Sequence, residues 1–112
     1  MNNSLQLDRS FLALSHPARR SIVERLARGT ATVGEATAGL GISKPAVTKH
    51  LKLLEESGVI SRRIEGRTHV LSLRGRALAD AESWLELHRT LWEAKFDAVE
   101  RQLEKGAADD TG

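Results

Sequence analysis

The chain has 112 residues, 40% hydrophobic and 29% charged, which suits one globular domain and leaves no room for a second core. Cysteine is absent, so disulfides, thiolate metal sites and thiol-based redox sensing are excluded. No apolar run approaches the roughly 20 residues of a membrane span, and Met1 to Asp8 lack a signal-peptide pattern, so a cytoplasmic protein without a membrane partner is expected. The formal net charge of +2 is unevenly spread: residues 43–76 hold eight Lys/Arg against three Asp/Glu, whereas residues 77–112 hold four against nine. A basic central segment followed by an acidic one suggests a face for a polyanion and a region kept off it.

Residues 1–4 offer little to bury. A first helix is expected over Leu7–Leu14, where Leu7, Phe11 and Leu14 share a face. His16 and Pro17 mark a break and restart; proline suits the first helical position, so a second helix should run from Pro17 to Arg28 and stop at Gly29. Its buried stripe is Ile22, Val23 and Leu26. Thr32 and Glu35 have capping-box spacing and open a short third helix ending near Gly39. Ser43 is a good N-cap, Pro45 falls in the first turn, and the fourth helix should cover Lys44–Ser57 before Gly58. Two β-prone runs, Val59–Ile64 and Thr68–Leu73, flank Glu65-Gly66-Arg67 and read as a hairpin. A last helix, about Arg76 to Lys105, contains no Pro or Gly. Residues 106–112 are expected to form a flexible tail.

The predicted order α-α-α-α-β-β-α is mainly helical with one β-hairpin, the pattern of a helix-turn-helix followed by a wing and a long terminal helix. The fourth helix carries the chemistry. At 100° per residue, Val47, Leu51 and Leu54 fall within about 60° and form a core side. Pro45, Thr48, Lys49 and Lys52 lie opposite, and Ser43 and Lys44 sit at the N-terminal end, where free N–H groups and the helix dipole favour a phosphate. Hydroxyl and ammonium donors with no carboxylate before the end of the helix are what a major-groove reader needs. A solvated surface helix carrying three lysines is the plain alternative.

The run Ser43-Lys44-Pro45-Ala46-Val47-Thr48-Lys49-His50-Leu51-Lys52-Leu53-Leu54, followed by Gly58-Val59-Ile60 and Glu65-Gly66-Arg67, resembles the ArsR-type winged helix-turn-helix repressor family. The similarity reaches upstream to Ala13–Arg20 and to Thr32-Val33-Gly34-Glu35, and it covers roughly residues 8–104. The resemblance implies a homodimer that binds an operator in double-stranded DNA. Metal-sensing members carry cysteines in the third helix; Thr32 and Gly34 stand there, so that sensor is absent. A second family site uses Asp, His and Glu on the terminal helices. Asp80, Glu82, His88 and Glu93 occur, but the spacing does not match, and no metal or cofactor is expected.

In the wing, Arg62, Arg63 and Arg67 surround the tip, where a guanidinium can grip phosphates or enter a minor groove. Arg67 beside Gly66 resembles the family's wing arginine. Arg74 and Arg76 contact phosphate or simply begin the last helix, and Arg19 and Arg20 face the DNA backbone or hold the second helix through an ion pair. His50 reads as a phosphate contact or a flank of the core, His16 as a helix cap and His69 as a wing residue.

On the terminal helix Leu78, Leu85, Trp92 and Val99 recur every seven residues, and Phe96 and Leu103 continue the stripe. That spacing favours a helix–helix dimer interface, with Leu7 and Phe11 added from the first helix of the partner. Folding back on its own domain and a tryptophan-lined pocket for an apolar effector are the other readings. The whole is therefore read as one domain over 1–112, with a DNA-binding core and wing at 7–75 and a dimerisation helix at 76–105. The expected function is sequence-specific binding of a palindromic operator by a non-catalytic repressor. A winged-helix module that binds protein, or a regulator answering to a small-molecule effector, are the alternatives.

Overall fold

His16 and Pro17 separate the first two helices as the sequence demands: the His16 backbone is extended, its Nδ1 accepts from Ala18 N at 3.0 Å, and Pro17 opens the next helix. The computed structural model describes residues 3–110. Its elements are α1 (Asn3–Ala13), α2 (Pro17–Ala27), β1 (Ala31–Thr32), α3 (Val33–Ala36), α4 (Lys44–Glu56), β2 (Ile60–Glu65), β3 (Thr68–Leu73) and α5 (Gly75–Asp110). The Thr32–Glu35 capping box is complete: Glu35 N donates to Thr32 Oγ1 at 3.1 Å, and Thr32 N to Glu35 Oε1 at 2.9 Å. Those bonds hold Glu35 ionised, with its pKa below the ordinary carboxylate value.

Besides α3, which stops at Ala36 rather than near Gly39, and shifts of one residue elsewhere, three features differ from the sequence reading. α1 begins at Asn3 rather than Leu7, because nothing in residues 3–6 breaks a helix and Gln6 has a tertiary partner, donating from Nε2 to Ser57 O at 3.2 Å. α5 runs past Lys105 to Asp110, so the tail expected at residue 106 is helical up to that point; only residues 111–112 of that tail lie outside the described residues. One Gly106 costs about 1 kcal/mol in a helix, and the two alanines after it are good helix formers. β1 was not foreseen. Two residues are too few to show a period, and Ala31 and Thr32 become a strand only by pairing with Leu71 and Val70.

The sheet is antiparallel in the order β1-β3-β2, so the hairpin is joined to β1 through its second strand. Glu65 pairs with Thr68, leaving Gly66-Arg67 as a two-residue loop. Gly66 has φ +62° and Arg67 has a negative φ, the pattern of a type II′ turn, which puts glycine at its first position. α4 ends in a Schellman arrangement: Val59 N donates to Leu54 O and Gly58 N to Glu55 O, both at 3.0 Å, with Gly58 at φ +77°.

The chain divides into two units, Met1–Ala81 and Glu82–Gly112. In the first, Ile22, Leu26, Leu51, Leu54, Val59 and Leu71 form the buried core, and Val47 and Leu78 pack against it. Truncating Leu54, which is fully buried, to Ala would cost on the order of 2–5 kcal/mol. Ser10 is buried as well and is satisfied, its hydroxyl donating to Ala77 O at 3.0 Å. The second unit is helix throughout its described part.

Candidate nucleic-acid interface

α4 starts where Ser43 Oγ accepts from Ala46 N at 3.3 Å, and its apolar side is fixed by burial of Leu51 and Leu54. The opposite side is therefore set in register: Ser43, Lys44, Pro45, Thr48, Lys49 and Lys52 are all exposed. Among the described residues, Lys44 and Lys49 have no hydrogen-bond or ion-pair partner, while Lys52 lies 3.9 Å from Glu56 in a solvent-exposed pair of little energetic weight. The Thr48 hydroxyl donates to Lys44 O at 3.1 Å, so outward it offers oxygen lone pairs and a methyl group rather than a donor.

The flanks of α4 are occupied differently. His50 is half-buried; its Nδ1 accepts from Arg19 Nη1 at 3.1 Å, and its ring lies 4.4 Å from that of His16. Burial, with His16 and Arg19 nearby, lowers its pKa below the usual imidazole value. Glu55, on the other flank, receives Arg62 Nε at 3.1 Å, and Arg62 Nη1 lies 2.9 Å from His69 Nδ1. Sequence reasoning placed His50 and Arg62 in the interface without seeing these partners, which lie 31 residues away for His50 and seven for Arg62. The ion pair offered as one role for Arg19 is absent among the described residues. Its guanidinium is satisfied instead by the carbonyls of Leu12 and Ala13, by Ser15 and by His50.

In the wing, Arg63 is exposed and donates to Glu65 Oε1 at 2.7 Å, its neighbour two residues along the same strand face. Arg67 is exposed at the tip and, among the described residues, makes no hydrogen bond or ion pair, so its whole guanidinium is available. Ile64, on the face shared with Arg62, is 62% exposed, an apolar contact the sequence reading did not single out.

The second unit presents apolar surface. Leu85, Trp92, Val99 and Leu103 of the seven-residue stripe are all exposed, Trp92 to 62%. Trp84, Leu87 and Leu91 widen that surface to an arc of about 160° at 100° per residue; Leu87 and Leu91 were missed because a strict heptad leaves them out. Phe96 belongs to the helix backbone, but its side chain lies outside the described residues. His88 stacks on Trp84 with ring centroids 4.0 Å apart, and its Nδ1 lies 2.8 Å from Trp84 O. On α1, Leu7 is half-buried and Phe11 is exposed beside Leu12. Among the described residues no three His, Asp or Glu side chains converge as metal ligands, and no helix is long and apolar enough to cross a membrane.

A short helix, a turn, a second helix with a basic outward face and a β-wing beside it define the winged helix-turn-helix class of DNA-binding proteins. Residues 14–63 match the helix-turn-helix domain family. The chain is 43% identical over 72 residues to the HTH-type transcriptional regulator Rv2034 of Mycobacterium tuberculosis, covering 64% of this chain and 67% of that one. It is 36% identical over 75 residues to the transcriptional repressor SdpR of Bacillus subtilis, covering 67% and 83%. A crystal structure of an ArsR family transcriptional regulator superposes with a TM-score of 0.73 at 36% identity, covering 80% of this chain and 93% of that one. The chain belongs to the ArsR family of winged helix-turn-helix transcriptional regulators, and its activity is DNA-binding transcriptional regulation.

Proposed function

We propose that the protein is a homodimeric repressor that binds a two-fold symmetric operator, with α4 as the recognition helix and binding rather than chemistry as its activity. The observation that carries this reading is the outward face of α4, where Lys44 and Lys49 stand exposed without partners among the described residues while the opposite face is locked into the core. Thr48 and Lys49 meet base edges in the major groove; Ser43, Lys44, Pro45 and Lys52 approach the phosphates. Arg67 and Arg63 reach the backbone or minor groove from the wing. His50 and Arg62, both held by neighbours, serve the interface mainly by fixing the elements that touch DNA.

Dimerisation is assigned to the apolar arc of α5, with Leu85, Trp92, Phe96, Val99 and Leu103 meeting a second copy and Leu7 and Phe11 of α1 joining them. Exposed leucine and tryptophan over so wide an arc exceed what a solvated helix carries, which supports a partner there. Selection of bound fragments from genomic DNA, followed by footprinting, tests the whole. Two protected half-sites related by two-fold symmetry are expected, and a single asymmetric footprint would refute it.

A further inference from the structure

Arg19 is a charged side chain only 8% exposed, and among the described residues no carboxylate answers it. Its charge is met by dipoles. Nε donates to Ala13 O and Nη2 to Leu12 O, both at 2.9 Å, so the guanidinium caps the C-terminal end of α1, where unsatisfied carbonyls concentrate negative potential. Nη2 also reaches Ser15 Oγ at 3.1 Å. Nη1 is left for His50 on α4, 3.1 Å from its Nδ1. A guanidinium can only donate, so that Nδ1 must be bare and the imidazole proton must sit on Nε2.

We infer that Arg19 is a positioning residue for the recognition helix and that its bond to His50 makes DNA binding acid-sensitive. The bond joins α4 to the corner between α1 and α2, on the flank away from the wing. Protonating His50 turns the acceptor into a donor 3.1 Å from another donor and sets cation against cation. Among the described residues no compensating charge faces it: the charged and titratable groups that bear on the ring are Arg19 from α2 and His16 from the corner, with Lys49 beside it on its own helix. The placement of α4 that binds DNA therefore requires unprotonated His50. This inference rests on α4 being the recognition helix.

The test measures affinity, at fixed salt between about pH 7.5 and about pH 5.5, for a duplex selected by the protein from a random pool. The wild type should lose affinity by at most about tenfold for each subunit engaged on the duplex, the bound being set by an ordinary imidazole pKa near 6.5. His50→Gln keeps an acceptor oxygen for Arg19 but cannot titrate. Whatever its affinity at the upper pH, it should lose the slope. A wild-type affinity that stays flat or rises on acidification overturns the inference, a rise marking His50 as a direct phosphate contact. A Gln variant that retains the slope overturns it too, because a group other than His50 then carries it. Nitrogen NMR of the wild type at about pH 7.5 stands independently of any variant: a proton on Nε2 supports the bond, and one on Nδ1 overturns it. Absence of all duplex binding at the upper pH is a failure of the recognition-helix reading, and the inference falls with it.

Discussion

Arg62 on β2 and Glu55 on α4 face each other across the junction of wing and recognition helix, with Nε and Nη2 of the guanidinium 3.1 and 2.5 Å from one carboxylate oxygen. Both side chains are about two-thirds shielded from solvent, and the third guanidinium nitrogen is taken up by His69 on β3. The pair therefore ties together the two elements proposed to touch DNA. Arg62→Ala and Glu55→Ala should each weaken specific binding, and the double variant should be less impaired than the two losses added together. A coupling on the order of 1 kcal/mol in the double-mutant cycle is expected. Strict additivity would make Arg62 a direct DNA contact instead.

Reading and holding should separate by residue. Thr48→Ala and Lys49→Ala should bring specific affinity closer to non-specific affinity, with on the order of 1–3 kcal/mol of discrimination lost per good base contact. Arg67→Ala should weaken binding to all sequences alike and flatten the salt dependence by about one unit of slope. Fluorescence anisotropy across a salt series, with specific and scrambled duplexes, measures both. A change of preferred bases on Arg67→Ala would show that the wing reads sequence.

The apolar arc of α5 makes a prediction about assembly. Trp92→Ala combined with Phe96→Ala should shift sedimentation from dimer toward monomer and lower operator affinity with it. A double variant that stays dimeric with unchanged affinity places the interface elsewhere.

The Thr32–Glu35 capping box gives stability a pH signature at the acid end. Hydrogen bonds from Thr32, together with Arg25, hold the Glu35 carboxyl below its ordinary pKa. Folded protein then binds its proton more weakly than the unfolded chain does. The stabilisation is present above the ordinary carboxylate value near 4.5 and is lost as pH falls through the lowered folded value. Melting temperature across that window should fall less steeply for Glu35→Gln than for wild type, and identical slopes would show that the cap does not form.

What could be read from the sequence was whatever local chemistry dictates. Ser43 before Lys44-Pro45, Thr32 three residues before Glu35, Gly58 after α4 and Gly66 at the wing tip each announce a boundary through a bond or a φ value fixed within four residues. The outward face of α4 was equally legible, because helical periodicity alone separates Leu51 and Leu54 from Lys49 and Lys52. What escaped were interactions between distant positions. β1 exists only through its pairing with β3, and Arg19 finds carbonyls and an imidazole rather than the carboxylate considered for it. The restraint on Arg62 likewise depends on how the wing folds against α4, which no spacing of charges along one strand reveals.

The three-stranded sheet has a consequence for the timing of contact. β3 is paired on both sides only at Val70 and Leu71; beyond them, toward Thr68, the hairpin is a ribbon of two strands with Arg67 at its end. Isolated two-stranded ribbons are barely stable in water. Amide exchange in the wing should therefore be graded, slowest at Leu71 and quickening toward the turn. The tip samples frayed states that the base does not, so Arg67 searches a larger volume than the residues of α4 and loses more conformational freedom once it is seated. Arriving DNA is thus met by a stiff helix and a loosely held arginine, and the second should settle after the first.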